Sequence, residues 1–224
     1  MVALSVLLGF LLLLIIDYFV LRAEKKLHPA FIKNYKVIDS VAFNNLSVTI
    51  PADTFISKGH TWAKPDKNGF VKVGVDEFVT KSMGEFVITN TAPNGILLNE
   101  GDPVIEARLG NKKIIFRSPV NGQVILQNHD LPGKRITDPF SEDWGVVIKT
   151  QEFQKSSKKL KINEEVIEWM KSELIRFKSY LEVRLTNPKL AGVTMFDGGH
   201  IVEGVVSHLD NESIEIYEKE FLSI

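Results

Sequence analysis

Between residues 54 and 150, short apolar runs alternate with turn residues, which is typical of a small antiparallel β domain. The run Phe70 to Val75 follows Pro65-Asp-Lys-Asn-Gly69, a strong turn signal, and the run Trp144 to Lys149 ends the series. Asp76 is a good N-cap for one short helix. The pattern therefore predicts seven or eight short strands that form a small sandwich or barrel.

The stretch from Glu100 to Val124 is the centre of this pattern. Its runs Pro103 to Arg108 and Lys112 to Arg117 predict two strands of a β-hairpin. Leu109-Gly110-Asn111 lies between them, and Gly and Asn are residues that accept a positive φ in a tight connection. We expect Gly110 and Asn111 at the hairpin tip, one of them with φ above zero.

The chain begins with an almost wholly apolar stretch, Val2 to Leu21, in which Asp17 is the one charged residue. At about 1.5 Å per residue, a helix of this length just crosses a hydrocarbon core of about 30 Å. No Lys or Arg precedes the stretch, whereas five follow it closely: Arg22, Lys25, Lys26, Lys33 and Lys36. The pattern predicts a single-pass anchor in the cell membrane with the remaining chain in the cytoplasm.

After residue 150 the pattern changes to helices. Asn163 is placed to cap a helix from Glu164 to about Leu185, whose apolar positions follow the three-four spacing of one buried face. A second amphipathic helix is predicted to end near Leu222. The predicted domains are a transmembrane anchor (1–22), a linker (23–53), a β domain (54–150), a second linker (151–162) and a helical α+β extension (163–224).

An ordered set of landmarks resembles the glycine cleavage H protein. The resemblance covers residues 54–150, with similar spacing throughout. The landmarks are Lys58-Gly-His-Thr-Trp62, Val73-Gly-Val-Asp-Glu-Phe78, Gly84, Pro93 with Gly95, Gly101, Ser118-Pro-Val-Asn-Gly122 and Asp138-Pro-Phe-Ser-Glu-Asp-Trp144. The resemblance implies a mainly β fold, the barrel-sandwich hybrid of lipoyl-type domains. It also implies that the hairpin tip is the place where the family carries a lipoyl-lysine that swings between partner enzymes.

The tip of this chain departs from the family pattern. Counted back from Ser118 without a gap, the lipoyl-lysine position falls on Asn111, and the acidic residue three positions earlier falls on Arg108. An amide nitrogen cannot be acylated in place of an amine. Lys112 or Lys113 remains as an alternative attachment site, but a slip of one residue moves a side chain to the other face of a strand.

Composition narrows the function further. Hydrophobic residues make up 44% of the chain and its net charge is −1, so neither disorder nor nucleic-acid binding is indicated. With no cysteine and five scattered histidines, no metal-ligand spacing is present in the sequence. Nucleotide-binding and nucleophile motifs are also missing, so no catalytic residue is expected.

The sequence thus predicts a membrane-anchored, H-protein-like interaction or assembly module without lipoate and without an active site of its own. Its protein partner is unidentified. The alternative is a lipoyl carrier for aminomethyl transfer, modified at Lys112 or Lys113, with lipoate as its cofactor. In the leading interpretation, Asn111 is the degenerate lipoyl position, and the hairpin-tip residues before it are Arg108, Leu109 and Gly110.

Overall fold

Short strands with alternating buried and exposed positions build most of this fold. The computed structural model describes residues 35–39, 47–66, 68–184, 195–196 and 200–224, together with Ile15. The strands are β1 (Tyr35–Asp39), β2 (Ser47–Pro51), β3 (Phe55–Ile56), β4 (Thr61–Pro65), β5 (Phe70–Val75), β6 (Val87–Thr91), β7 (Leu97–Leu98), β8 (Pro103–Leu109), β9 (Lys112–Arg117), β10 (Gly122–Gln127), β11 (Val146–Lys149), β12 (Met195–Phe196) and β13 (His200–Ile201). The helices are α1 (Glu77–Met83), α2 (Phe153–Ser156), α3 (Glu164–Arg184) and α4 (Asn211–Phe221), with 3-10 turns at Ser157–Lys159 and Val205–His208.

Two of the sheets enclose the β core. The larger has the strand order β3-β4-β5-β11-β10-β7 and the smaller the order β6-β8-β9, while β1-β2 and β12-β13 form two-stranded sheets. Ile105 of the small sheet packs against Gly145, just before β11: a methyl group on Gly145 would lie 2.4 Å from the Ile105 Cδ1 atom. The mainly β fold predicted from the sequence is confirmed, with nine strands between residues 54 and 150 where seven or eight were predicted.

The side chain of Trp62 contacts residues from two other sequence landmarks. Its ring is fully buried and lies so close to Gly74 that an added Cβ there would meet the indole at 2.5 Å. The indole N–H donates to the carbonyls of Val75 (3.0 Å) and Pro139 (2.9 Å). The long loop before β11 is therefore attached to β4 and β5 through one side chain, since a buried indole N–H needs a partner.

The C-terminal helices belong to the same core as the strands. Phe177 of α3 is fully buried, and its ring centroid lies 5.4 Å from Phe78 of α1, 5.9 Å from Tyr217 and 5.5 Å from Phe221 of α4. The Tyr217 hydroxyl lies 2.7 Å from Ser82 Oγ at the end of α1. The predicted apolar face of α3 thus packs against the protein itself, within the compact unit of residues 36–224.

The predicted membrane anchor needs correction. Among the residues that the structure describes, no helix is both long and apolar enough to cross a membrane. The stretch Val2 to Leu21 lies outside the described residues, apart from Ile15. An apolar stretch meets the length condition for a span, but length and hydropathy alone do not establish a spanning helix. The fold class that included a transmembrane helix is wrong on this point, and the single-pass location with a cytoplasmic domain is withdrawn with it.

We expect the aromatic contacts between α1, α3 and α4 to hold the C-terminal helices in place. Phe177→Ala should lower the free energy of unfolding by about 3–5 kcal/mol, because it empties a closely packed aromatic site. Ile175→Ala is the matched control on the same helix: Ile175 is 68% exposed, and its truncation should change the value by less than about 0.5 kcal/mol. Urea unfolding measures both, and equal effects would contradict the packing described.

Candidate functional site

The base of the central hairpin is held by the turns on either side of it. The N–H of Gly101 donates to the Ser118 carbonyl (2.9 Å), and the N–H of Ser118 donates to the Asp102 carbonyl (2.8 Å). Asn121 accepts the N–H of Glu100 through its side-chain oxygen at 2.6 Å. These bonds join the chain before β8 to the chain after β9, so the hairpin projects from a fixed base.

The hairpin ends in a two-residue connection. Leu109 pairs with Lys112, and Arg108 pairs with Lys113 on the opposite strand. Gly110 has φ 57°, a left-handed value that suits glycine, whereas Asn111 is not among the residues with positive φ. Gly110 and Asn111 form the turn, with one of them at positive φ as the sequence predicts, and Leu109 is the last residue of β8.

Asn111 is the exposed residue at the apex of the turn. This is the position at which the family resemblance places its lipoyl-lysine. Its backbone does not need the left-handed conformation, so a longer side chain fits there without backbone strain. Asn111 offers an amide where the modification chemistry requires an amine.

Lys112 belongs to the inner face of the hairpin. Its partner Leu109 is buried, and the next inner pair, Ala107 with Ile114, is buried as well. The Lys112 ammonium forms an ion pair with Glu215 of α4, and the side chain is 25% exposed. Lys112 is therefore directed at the C-terminal helix and away from the apex.

Lys113 belongs to the outer face. Its side chain is 58% exposed, and its Nζ lies 2.7 Å from Glu106 Oε1 on β8. Arg108 lies directly opposite Lys113 and is exposed too. The two lysines that the sequence offered as alternative acceptors thus lie on opposite faces, because side chains alternate along a strand.

Helix α4 covers the free edge of the hairpin. β9 is the outer strand of its sheet, and the N–H of Ile115 donates to a carboxylate oxygen of Glu218 (3.0 Å) in place of a further strand. Together with Glu215, Glu218 presents an acidic side of α4 to β9. Sequence reasoning missed both residues. Their spacing of three on a helix was the available signal, since such residues share a face.

His60 belongs to the landmark Lys58-Gly-His-Thr-Trp62, lies just before β4 and is fully buried. Its Nδ1 lies 2.7 Å from Asp76 Oδ2, and its Nε2 lies 3.4 Å from Glu173 Oε1 of α3 without hydrogen-bond geometry. Asp76 also caps α1 by accepting the N–H of Val79 (3.2 Å). With no exposed surface, His60 connects β4, α1 and α3 and has no access to a substrate.

The charge of His60 depends on these carboxylates. Burial is the largest single effect and lowers its pKa, but Asp76, followed by Glu173, outweighs burial and raises the pKa to about 9. Burial raises the pKa of Glu173, whereas His60 and Arg176 hold it below its ordinary value. The buried imidazole of His60 is therefore held in its protonated form between the carboxylates of Asp76 and Glu173. Among the described residues, no group of His, Asp and Glu side chains is arranged to hold a metal ion.

Comparisons with known proteins agree with the landmarks. The chain matches the family model described as glycine cleavage H-protein over residues 54–173, which extends the resemblance beyond residue 150 into α3. Glycine cleavage system H protein 4 of Aquifex aeolicus is 28% identical over 106 residues, covering 46% of this chain and 61% of that protein. A probable glycine cleavage system H protein of Pyrococcus horikoshii is 27% identical over 121 residues, covering 53% of this chain and 90% of that protein. A crystal structure of a glycine cleavage system H protein from Mycobacterium marinum aligns with a TM-score of 0.41 and 23% identity, covering 46% of this chain and 87% of that chain.

The His60 cluster predicts a specific pH dependence of stability. The pKa of His60 is about 9 in the folded protein and about 6.5 in an unfolded chain. Its charge therefore contributes stability fully below pH about 6.5, and this contribution is lost as the pH rises to about 9. We expect the free energy of unfolding to fall by about 2–3 kcal/mol over that range.

Urea unfolding at a series of pH values measures this loss. His60→Gln should remove the fall, although it lowers stability at every pH, and the exposed His129 provides the control through His129→Gln. A wild-type slope that survives in the His60→Gln variant would show that another group is responsible.

Proposed function

The chain belongs to the glycine cleavage H-protein family, and we propose that it acts there as a protein-interaction module that carries no lipoate. The family match covers residues 54–173, more than half of the 224 residues. H proteins are carrier proteins without catalytic activity of their own, so this chain is not an enzyme. In this proposal the chain functions through contacts with a protein partner.

The single observation that carries the proposal is Asn111 at the apex of the hairpin turn. Leu109 pairs with Lys112, so the two turn residues are Gly110 and Asn111, and neither has an amine. The base of the hairpin keeps the family landmarks Gly101 and Ser118 in direct hydrogen bonds. The hairpin base that supports the lipoyl-lysine in the family is therefore present in this chain. The lysine amine that would accept the lipoyl group is absent from the apex of the turn.

The second candidate function is a lipoyl carrier modified at Lys112 or Lys113. The relatives in Aquifex aeolicus and Pyrococcus horikoshii are both named as glycine cleavage system H proteins, which favours this alternative. Lys113 is the better acceptor, since it is more exposed than Lys112. The positions of both lysines argue against this alternative. Each lysine lies within β9 and pairs with a residue of β8, so neither side chain starts from the apex of the turn.

We predict that two substitutions restore the acceptor. Asn111→Lys together with Arg108→Glu should be modified by a lipoyl-attaching enzyme in vitro, whereas the wild type should not. The acid matters because an amine beside the Arg108 cation lacks the charge that such an enzyme meets in the family pattern. Intact mass spectrometry, which detects the addition of one lipoyl group, is the measurement.

Three controls locate the modification. Asn111→Lys alone should react more slowly than the double variant, and Arg108→Glu alone should not react. Adding Lys112→Arg to the double variant should leave its modification intact. The proposal fails if the wild type is modified and Lys112→Arg or Lys113→Arg abolishes that modification.

A further inference from the structure

Two cations face each other on the outer side of the hairpin. Arg108 and Lys113 are directly opposed across β8 and β9, and like charges in this position destabilise a strand pair. Lys113 has Glu106 as its acidic partner. Arg108 is exposed, and among the described residues no acidic side chain pairs with it. The repulsion between Arg108 and Lys113 lowers the stability of the hairpin. Glu106 offsets the charge of Lys113 but not that of Arg108.

The loop after β10 brings two further cations to the same end of the sheet. The N–H of Ile88 in β6 donates to the Lys134 carbonyl (3.1 Å), so the loop runs alongside β6, which itself pairs with β8. Lys134 is exposed, and Arg135 forms an ion pair with Glu85. With strands about 4.8 Å apart, the row from Lys113 to Lys134 is roughly 15 Å long.

We propose that these tip cations, Arg108, Lys113, Lys134 and Arg135, bind an acidic segment of the protein partner. The inference rests on the proposed function, because it uses the hairpin as a docking element in place of a carrier arm. The Arg108 guanidinium suits a carboxylate in particular, since its planar fork can donate two parallel hydrogen bonds to one carboxyl group. The family resemblance places an acid at this position, so the sign of the charge is reversed in this chain.

The chemistry of the surroundings favours protein carboxylates over phosphate polymers or lipids. Glu85 and Glu106 lie among the tip cations and would repel a continuous polyanion. The net charge of the chain is −1, and a row of four cations is short compared with the six to ten phosphate contacts, roughly, of a nucleic-acid site. An acidic peptide segment can instead place single carboxylates between the two glutamates.

An NMR titration of the full chain with an N-acetylated peptide of alternating glutamate and serine residues tests the proposal, because its carboxylates are spaced apart. The amide shifts should concentrate in residues 106–115 and 134–135, and binding should weaken as salt rises from about 50 to about 300 mM. Arg108→Gln should weaken the affinity about fivefold or more, the effect of losing one well-placed charge pair.

The chain offers a matched control in its lysine-rich stretch from Lys155 to Lys161. Lys158 in that stretch is exposed like Arg108, and Lys158→Gln should change the affinity by less than about twofold. Shifts that cluster at 155–161, or an affinity unchanged by Arg108→Gln, would overturn the proposal. Stronger binding to phosphatidylglycerol vesicles that depends on Arg108 would also overturn it in favour of a lipid surface.

The two proposals fail in different ways. Lipoate on the wild-type chain would remove the proposed function whatever the peptide does, and mass spectrometry detects it. Failure of the peptide to bind at the tip would remove the acidic docking site, while the unmodified state of Asn111 would stand.

Discussion

The pairing of Leu109 with Lys112 is the constraint on which the chemistry of the hairpin depends. Side chains alternate along a strand, so this register puts Asn111 at the apex, Lys112 on the inner face and Lys113 on the outer face. A shift of β9 by one residue would move buried Ile114 and Phe116 into water, at a cost of about 1.5–3 kcal/mol for each side chain. The core beneath the hairpin therefore decides which group is presented at its tip.

Helix α4 strengthens this arrangement from the side. Its buried aromatic residues Tyr217 and Phe221 pack against Phe177, and its acids Glu215 and Glu218 contact Lys112 and the backbone of β9. The same helix thus completes the core, occupies the free edge of a strand and draws one lysine away from the apex. An uncovered edge would be a site for unwanted strand pairing, which α4 prevents.

Local patterns were enough to predict the strands, the turn at Gly110 and Asn111, and the buried face of α3. Each of these depends on residue spacing or on the backbone preference of single residues. The contacts of α4 with β9 could not be predicted, because an amphipathic helix shows which face is buried but not what covers it. The buried His60 cluster was not predicted either. Its acids Asp76 and Glu173 are distant from His60 along the chain, so no local pattern brings the three residues together. The prediction of a membrane anchor was wrong for a different reason: it rested on the length of an apolar stretch and its basic flank, and neither establishes a spanning helix. The assignment of Asn111 as a degenerate lipoyl position, with the alternatives Lys112 and Lys113, stays a prediction.

The hairpin has the position and base contacts of the family's lipoyl-bearing hairpin, but we propose that it carries no lipoyl group, because Asn111 stands where the family has its lysine. The most direct test is the intact mass of the wild-type chain purified from cells that make lipoate, measured beside a Lys113→Arg variant grown in the same way. We predict that the wild type has the mass of the unmodified sequence and that the variant differs from it by the substitution alone. A wild-type mass that includes a lipoyl group would contradict the account, and its loss or retention in the Lys113→Arg variant would show whether Lys113 carries the group.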